Sequence, residues 1–100
     1  MTIVEFLNAR LDEDERASKA VPVGARGRDR ALAEVAAKRK IVRGYAEAQS
    51  ASMRMVEPSP SGRLEGGDPW SELLAWRLAV KHLAAVYRTH PQYDASWADE

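Results

Sequence analysis

The chain reads as an all-α protein on three observations. Two helix starts are marked, at Thr2 and at Asp68-Pro69. Apolar residues step by three and four from Leu73 to Tyr87. Proline and glycine gather in two connecting stretches, residues 18–29 and 52–68. The expected architecture is three main helices. The first two form an antiparallel hairpin, a long loop follows, and the third helix packs across both. With 100 residues this is a single small domain, residues 1–100, with a flexible loop at about 52–68. A chain of this length buries little more than half the surface its unfolded form exposes, so a partner can contribute to its stability.

The first helix begins with Thr2 followed by Glu5, a capping box in which each side chain satisfies a free backbone N–H. Val4, Leu7 and Leu11, with Phe6 beside them, supply a buried stripe on a helix of about four turns. Its last turns carry Asp12, Glu13, Asp14 and Glu15, which oppose the macrodipole there and call for a cationic neighbour. A connection follows from Ser18 to Asp29. The second helix is expected from about Asp29 to Ser50, with Leu32, Val35, Ile41, Val42 and Tyr45 on its apolar side. Gly44 within it marks either a close approach of another helix or a weak point.

The stretch from Ser52 to Asp68 reads as a linker or surface loop; a short strand at Met53 to Glu57 stays open. Asp68 is placed as N-cap of the third helix, with Pro69 at the first helical position, where its missing N–H costs nothing. The stripe Leu73, Trp76, Val80, Leu83 and Tyr87 is the expected centre of the core. A second row, Trp70, Leu74, Arg77/Leu78 and Val86, widens that apolar side. His90 before Pro91 ends the helix, and Pro91 can open one or two further turns that place Tyr93 and Trp97 on one face.

Three blocks carry a family resemblance. They are MTIVEFLNARLDEDERA (residues 1–17), RALAEVAAKRKIV (30–42) and LAAVYRTHPQYDASW (83–97). The last, with His-Pro-x-Tyr-x-x-x-Trp, does not follow from helix periodicity. Together they resemble a family of small actinobacterial and actinophage proteins of unknown function. The resemblance implies an actinobacterial or phage cytoplasmic setting and no activity or cofactor. Where that family has a proline before the first tyrosine of the third block, this chain has Val86, which implies a third helix running further than in its relatives.

Composition removes several function classes. No cysteine is present, so disulfides, thiolate zinc sites and a cysteine nucleophile are excluded. The N-terminal residues do not read as a signal peptide, no apolar run can span a bilayer, and no membrane role is expected. The formal net charge is zero. The two histidines, His82 and His90, have no further ligand at metal-binding spacing, and no second group is signalled for acid–base chemistry. His90 is read instead as a cation at a helix end. Neither a catalytic residue, a cofactor nor a metal is therefore expected. Gly66 and Gly67 before Asp68 end a linker, since an acidic cap repels phosphate.

Two readings of function remain, neither an enzyme. The first is a cytoplasmic interaction protein that binds a protein partner or itself through the third helix and the aromatic tail. Trp70, His90, Tyr93 and Trp97 are its candidate contact residues, because large aromatics carry binding hot spots. The competing reading of Tyr93 and Trp97 is that they fold back over the ends of the first two helices. The second is a nucleic-acid-binding accessory role for the basic stretch Arg26, Arg28, Arg30, Lys38, Arg39, Lys40 and Arg43, which stands against only Asp29 and Glu34 between Gly24 and Gly44. The bland account of that stretch is intramolecular pairing. It sets Asp12 to Glu15 against Arg26 to Arg30 at the hairpin end, or against Arg39 and Lys40 if the register allows.

Overall fold

The computed structural model describes residues 1–54 and 69–98. Three helices form, α1 (Ile3–Ala20), α2 (Arg28–Arg54) and α3 (Pro69–Ala85), followed by a 3-10 turn at Ala95–Trp97. No strand occurs among the described residues. The fold is all-α, as the periodicity predicts. Met53 and Arg54, the start of the alternative strand, are the end of α2; Glu57 and the cap Asp68 lie outside the described residues.

α1 starts as its capping box dictates. Glu5 N donates to Thr2 Oγ1 at 3.1 Å, and Thr2 N donates to Glu5 Oε1 at 3.0 Å. The backbone bond from Thr2, then its side chain, holds the Glu5 carboxyl below the usual carboxylate range. The helix continues through Ala17, Ser18, Lys19 and Ala20, because nothing before Pro22 breaks it. The acid run therefore lies before the last turn, not in it, and the last turn carries Lys19. The dipole penalty expected for these acids is largely absent, since the effect fades beyond a terminal turn.

The connection holds two glycines in the left-handed region, Gly24 at φ +87° and Gly27 at φ +86°, where a β-carbon is unfavourable. Two successive turns, Ala25 N to Pro22 O and Arg28 N to Ala25 O, bring the chain back. Arg28 Nε closes the loop on Val21 O at 2.9 Å. α1 and α2 then run antiparallel. Val4 and Asn8 face Val42, Arg43 and Ala46 at one end of the seam, while Asp14 and Ser18 face Ala31, Glu34 and Lys38 at the other.

α2 is the spine. Its 27 residues span about 40 Å, longer than either neighbour. α1 packs along it and α3 packs on it as well, with a smaller contact between α3 and α1. The core joins Phe6, Leu7 and Leu11 from α1, Val35, Val42 and Tyr45 from α2, and Val80 and Ala84 from α3. Ile41, Leu73, Trp76, Leu83 and Tyr87 are packed against it from the sides. Gly44 lets α3 come close. A β-carbon there would lie 2.6 Å from Trp76 Cζ3 and 2.9 Å from Cζ2, so the indole occupies the space that any other residue would fill. Of the two sequence readings of Gly44, close approach is the correct one.

α3 departs from expectation in two ways. It stops at Ala85, not at His90. Beyond Ala85 the backbone tightens to i→i+3 bonds, from Val86 N to Leu83 O, Tyr87 N to Ala84 O and Arg88 N to Ala85 O. The second apolar row also does not widen the buried side. Trp70 is 66% exposed, Leu74 57%, Leu78 38% and Val86 66%. One helix face can lie against two neighbours only over part of its circumference, and these residues fall on the other part.

Candidate interaction surface

The four residues singled out as contact candidates separate into two places. His90, Tyr93 and Trp97 come together around Phe6. Its ring centroid lies 5.7 Å from His90, 6.1 Å from Tyr93 and 5.0 Å from Trp97, and Tyr87 stands edge-on at 6.2 Å. Tyr93 and Trp97 meet each other edge to face at 5.6 Å. Phe6 itself is fully buried. Edge-on rings at these separations place positive ring edges against negative faces. The tail is thus half-buried, folded back on the start of α1, and Tyr93 and Trp97 pack against the core. Trp70 sits apart in the first turn of α3.

Local bonds shape the tail. His90 N donates to Tyr87 O and Tyr93 N to His90 O. Gln92 N donates to His90 Nδ1 at 3.0 Å. This corrects the placement of His90 at a helix end: α3 stops five residues earlier, and the imidazole accepts a backbone hydrogen bond within the tail. Asp94 caps the 3-10 turn by accepting from Ser96 N at 2.9 Å, which holds its carboxyl below the usual range. Tyr87 ties the root of the tail to α1 by donating its hydroxyl to Asp14 Oδ2. Burial, then that hydrogen bond, pushes the Tyr87 phenol well above its ordinary value.

Arg10 escaped the sequence reading. It is 6% exposed, and its guanidinium lies 5.5 Å from the centroid of the Phe6 ring. Nη2 reaches Glu13 Oε1 at 3.2 Å, while Nε and Nη1 have no hydrogen-bond partner. A buried donor left unpaired costs about 1–3 kcal/mol, against about 1–2 kcal/mol from a desolvated cation–π contact. The available signal was spacing: Phe6, Arg10 and Asp14 stand one turn apart on one line of α1.

The basic stretch is partly consumed inside the molecule. Arg39 Nη2 contacts Asp12 Oδ1 at 2.8 Å and Glu15 Oε2 at 3.1 Å. The hydrogen bond that Arg39 donates to Asp12 leads in raising the Arg39 pKa further. Glu15 is held low first by Lys19, 3.3 Å away, with Arg39 contributing. Arg30 pairs with Glu34 at 3.3 Å. The acids therefore meet Arg39 and not Arg26 to Arg30. The extension of α1 to Ala20 moves the hairpin end away from them. Arg26, Lys40 and Arg43 are exposed, Arg28 is bonded to Val21, and Lys38 is half-buried on the seam. These residues lie on two turns of connection and several faces of α2, not on one stripe.

Among the exposed large apolar residues described, Leu74 and Leu78 stand together on the outer side of α3, with Val86 just past the helix. Among the described residues no group of three His, Asp or Glu side chains could hold a metal ion, and no helix is long and apolar enough to cross a membrane. The grooves are shallow seams between helices, one of about 400 Å³ beside Gly44, Ala48 and Trp76.

The fold and surface define a small all-α helical domain whose third helix is apolar on two sides. Residues 1–99 match the family described as "Family of unknown function (DUF6221)", and the chain belongs to that family. Neither a curated protein nor a solved structure matches it.

Proposed function

We propose that this protein is a non-catalytic interaction module, acting in the cytoplasm of an actinobacterium or delivered there by a phage, which binds another protein through the outer side of α3. One observation carries the reading. α3 buries Val80 and Ala84 on one side, yet leaves Leu74 and Leu78 exposed on the other. An apolar row opposite the buried side of a helix has no packing role in the domain, and contiguous exposed apolar surface of this kind marks interaction sites. The aromatic tail braces the domain through Phe6, with Tyr93 and Trp97 half-buried against the core. The nucleic-acid reading has less support, because Arg39 and Arg30 already hold carboxylates.

The test is affinity capture of the full chain from cells that encode it, compared with Leu74→Ser/Leu78→Ser. The proposal expects a protein retained by the wild type and lost by the variant, with unchanged helical circular dichroism. Equal retention by both removes α3 as the interface. Salt-sensitive retention on DNA or RNA, abolished by Lys40→Glu/Arg43→Glu, favours the second reading.

A further inference from the structure

We infer that the outer side of α3 receives an acidic amphipathic helix of a partner protein, a conclusion that rests on reading this side as an interface. The argument comes from what borders the leucines. At 3.6 residues per turn, Leu74 and Leu78 lie roughly 40° apart, with Lys81 and His82 close on either side and Arg77 roughly 60° from Leu74. Arg88 follows in the turns past the helix. None of these four basic residues has an ion pair among the described residues. The one acid of α3, Glu72, stands roughly 160° from Leu74 and lines the groove with Gly44 and Trp76 on the α2 side. Two leucines one turn apart, with Arg77 and Lys81 along one edge and no carboxylate of α3 beside them, form an i±4 ridge with a charge rule attached.

That rule selects the occupant. An amphipathic helix laid along the ridge would present apolar residues at three- and four-residue steps to Leu74 and Leu78, and carboxylates to Arg77, Lys81 and Arg88. A second copy presenting its own α3 fails the rule. It would bring two sets of Arg77 and Lys81 around two facing pairs of leucines with no acid of α3 between them, and like charges so placed repel. An anionic lipid surface is also a poor match. Recognition there uses clusters of about four to eight Lys or Arg, and the opposite side of an interfacial helix is polar, whereas that side of α3 is core.

Site-specific photo-crosslinking tests this in the full chain. Leu78, and separately Leu74, is replaced by benzoylphenylalanine, the protein is irradiated in cells that encode it, and the adducts are mapped by mass spectrometry. The expected adduct is a segment of another protein with net negative charge and apolar residues three or four apart. Its yield should fall by about tenfold in Arg77→Glu/Lys81→Glu and stay constant in Lys40→Glu. A neutral or basic segment, a peptide of this same chain, or a lipid adduct overturns the inference while leaving an interface at α3. No adduct at either position overturns both the inference and the proposed interface.

Discussion

The two sides of α3 are alike in composition and opposite in circumstance. The inner side, Leu73, Trp76, Val80, Leu83 and Ala84, meets α2 and α1. The outer side, Trp70, Leu74 and Leu78, is a comparably apolar row that meets solvent. Hydropathy cannot separate them, because both rows satisfy the same three-four spacing. What separates them is Gly44. The glycine admits the Trp76 indole against α2, and that single close approach sets which arc of α3 faces inward. An apolar row thus has a meaning only once the rotation of its helix is fixed.

The largest effect that can break this comparison lies at the hub of the inner side. Phe6→Ala removes a fully buried ring on which four aromatic side chains and Arg10 converge. It should cost about 3–5 kcal/mol in denaturant unfolding. A loss below 1 kcal/mol would mean the tail does not pack on α1.

Gly44→Ala comes next. Alanine gains up to about 1 kcal/mol in helix propensity, but its methyl meets the indole, and overpacking costs about 1–3 kcal/mol. Net destabilisation is expected, recovered when Trp76→Leu is added. An increase in stability from Gly44→Ala alone would show that the rotation of α3 is set elsewhere.

Tyr87 offers a pH test. Its phenol is raised in the folded state, first by burial and then by the bond to Asp14, so the protonated form is favoured on folding. The stabilisation is fully present below the unfolded value near 10 and is lost as pH rises from there towards the raised folded value. Tyr87→Phe should lower stability by about 1 kcal/mol at pH 7. The gap between wild type and variant should narrow above about pH 10; a constant gap from pH 7 to 11 would contradict the hydrogen bond to Asp14.

A smaller effect is expected at Arg10, whose Nε and Nη1 are buried without partners. Arg10→Met keeps the stem and removes the orphan donors, so stability should change by less than about 1 kcal/mol or rise. A fall of 3 kcal/mol would assign the guanidinium a larger role against Phe6.

Much of the fold is legible without coordinates, for local reasons. Thr2 with Glu5, the Leu7 and Leu11 stripe, and Pro69 at a first helical position each act within one or two turns. The helix ends are less legible. α1 and α2 overrun their expected ends by a few residues, because Ala17 to Ala20 and Ala51 to Arg54 contain no breaker. α3 falls short, because i→i+3 bonds after Leu83 redirect the chain towards Phe6 and Asp14. The pairing of Asp12 with Arg39 follows from hairpin register, which depends on the true end of α1. The candidate surface was least legible of all. Tyr93 and Trp97 look like exposed anchors until Phe6 is seen to collect them. Leu74 and Leu78 look like core until Gly44 fixes the rotation. Arg10 looks like an ordinary surface arginine until the tail covers its face of α1.

The contrast between the two sides of α3 is tested most directly by comparing the melting temperatures of Val80→Ala and Leu78→Ser in the isolated protein. Val80 is fully buried and Leu78 is 38% exposed. Loss of the buried valine methyls should cost about 2–3 kcal/mol and lower Tm by roughly 10 °C or more. Replacing the outer leucine should shift it by no more than about 3 °C, the scale of a surface change. Equal drops in both variants would contradict the account, since they would place Leu78 in the core and leave no outer apolar side for a partner to bind.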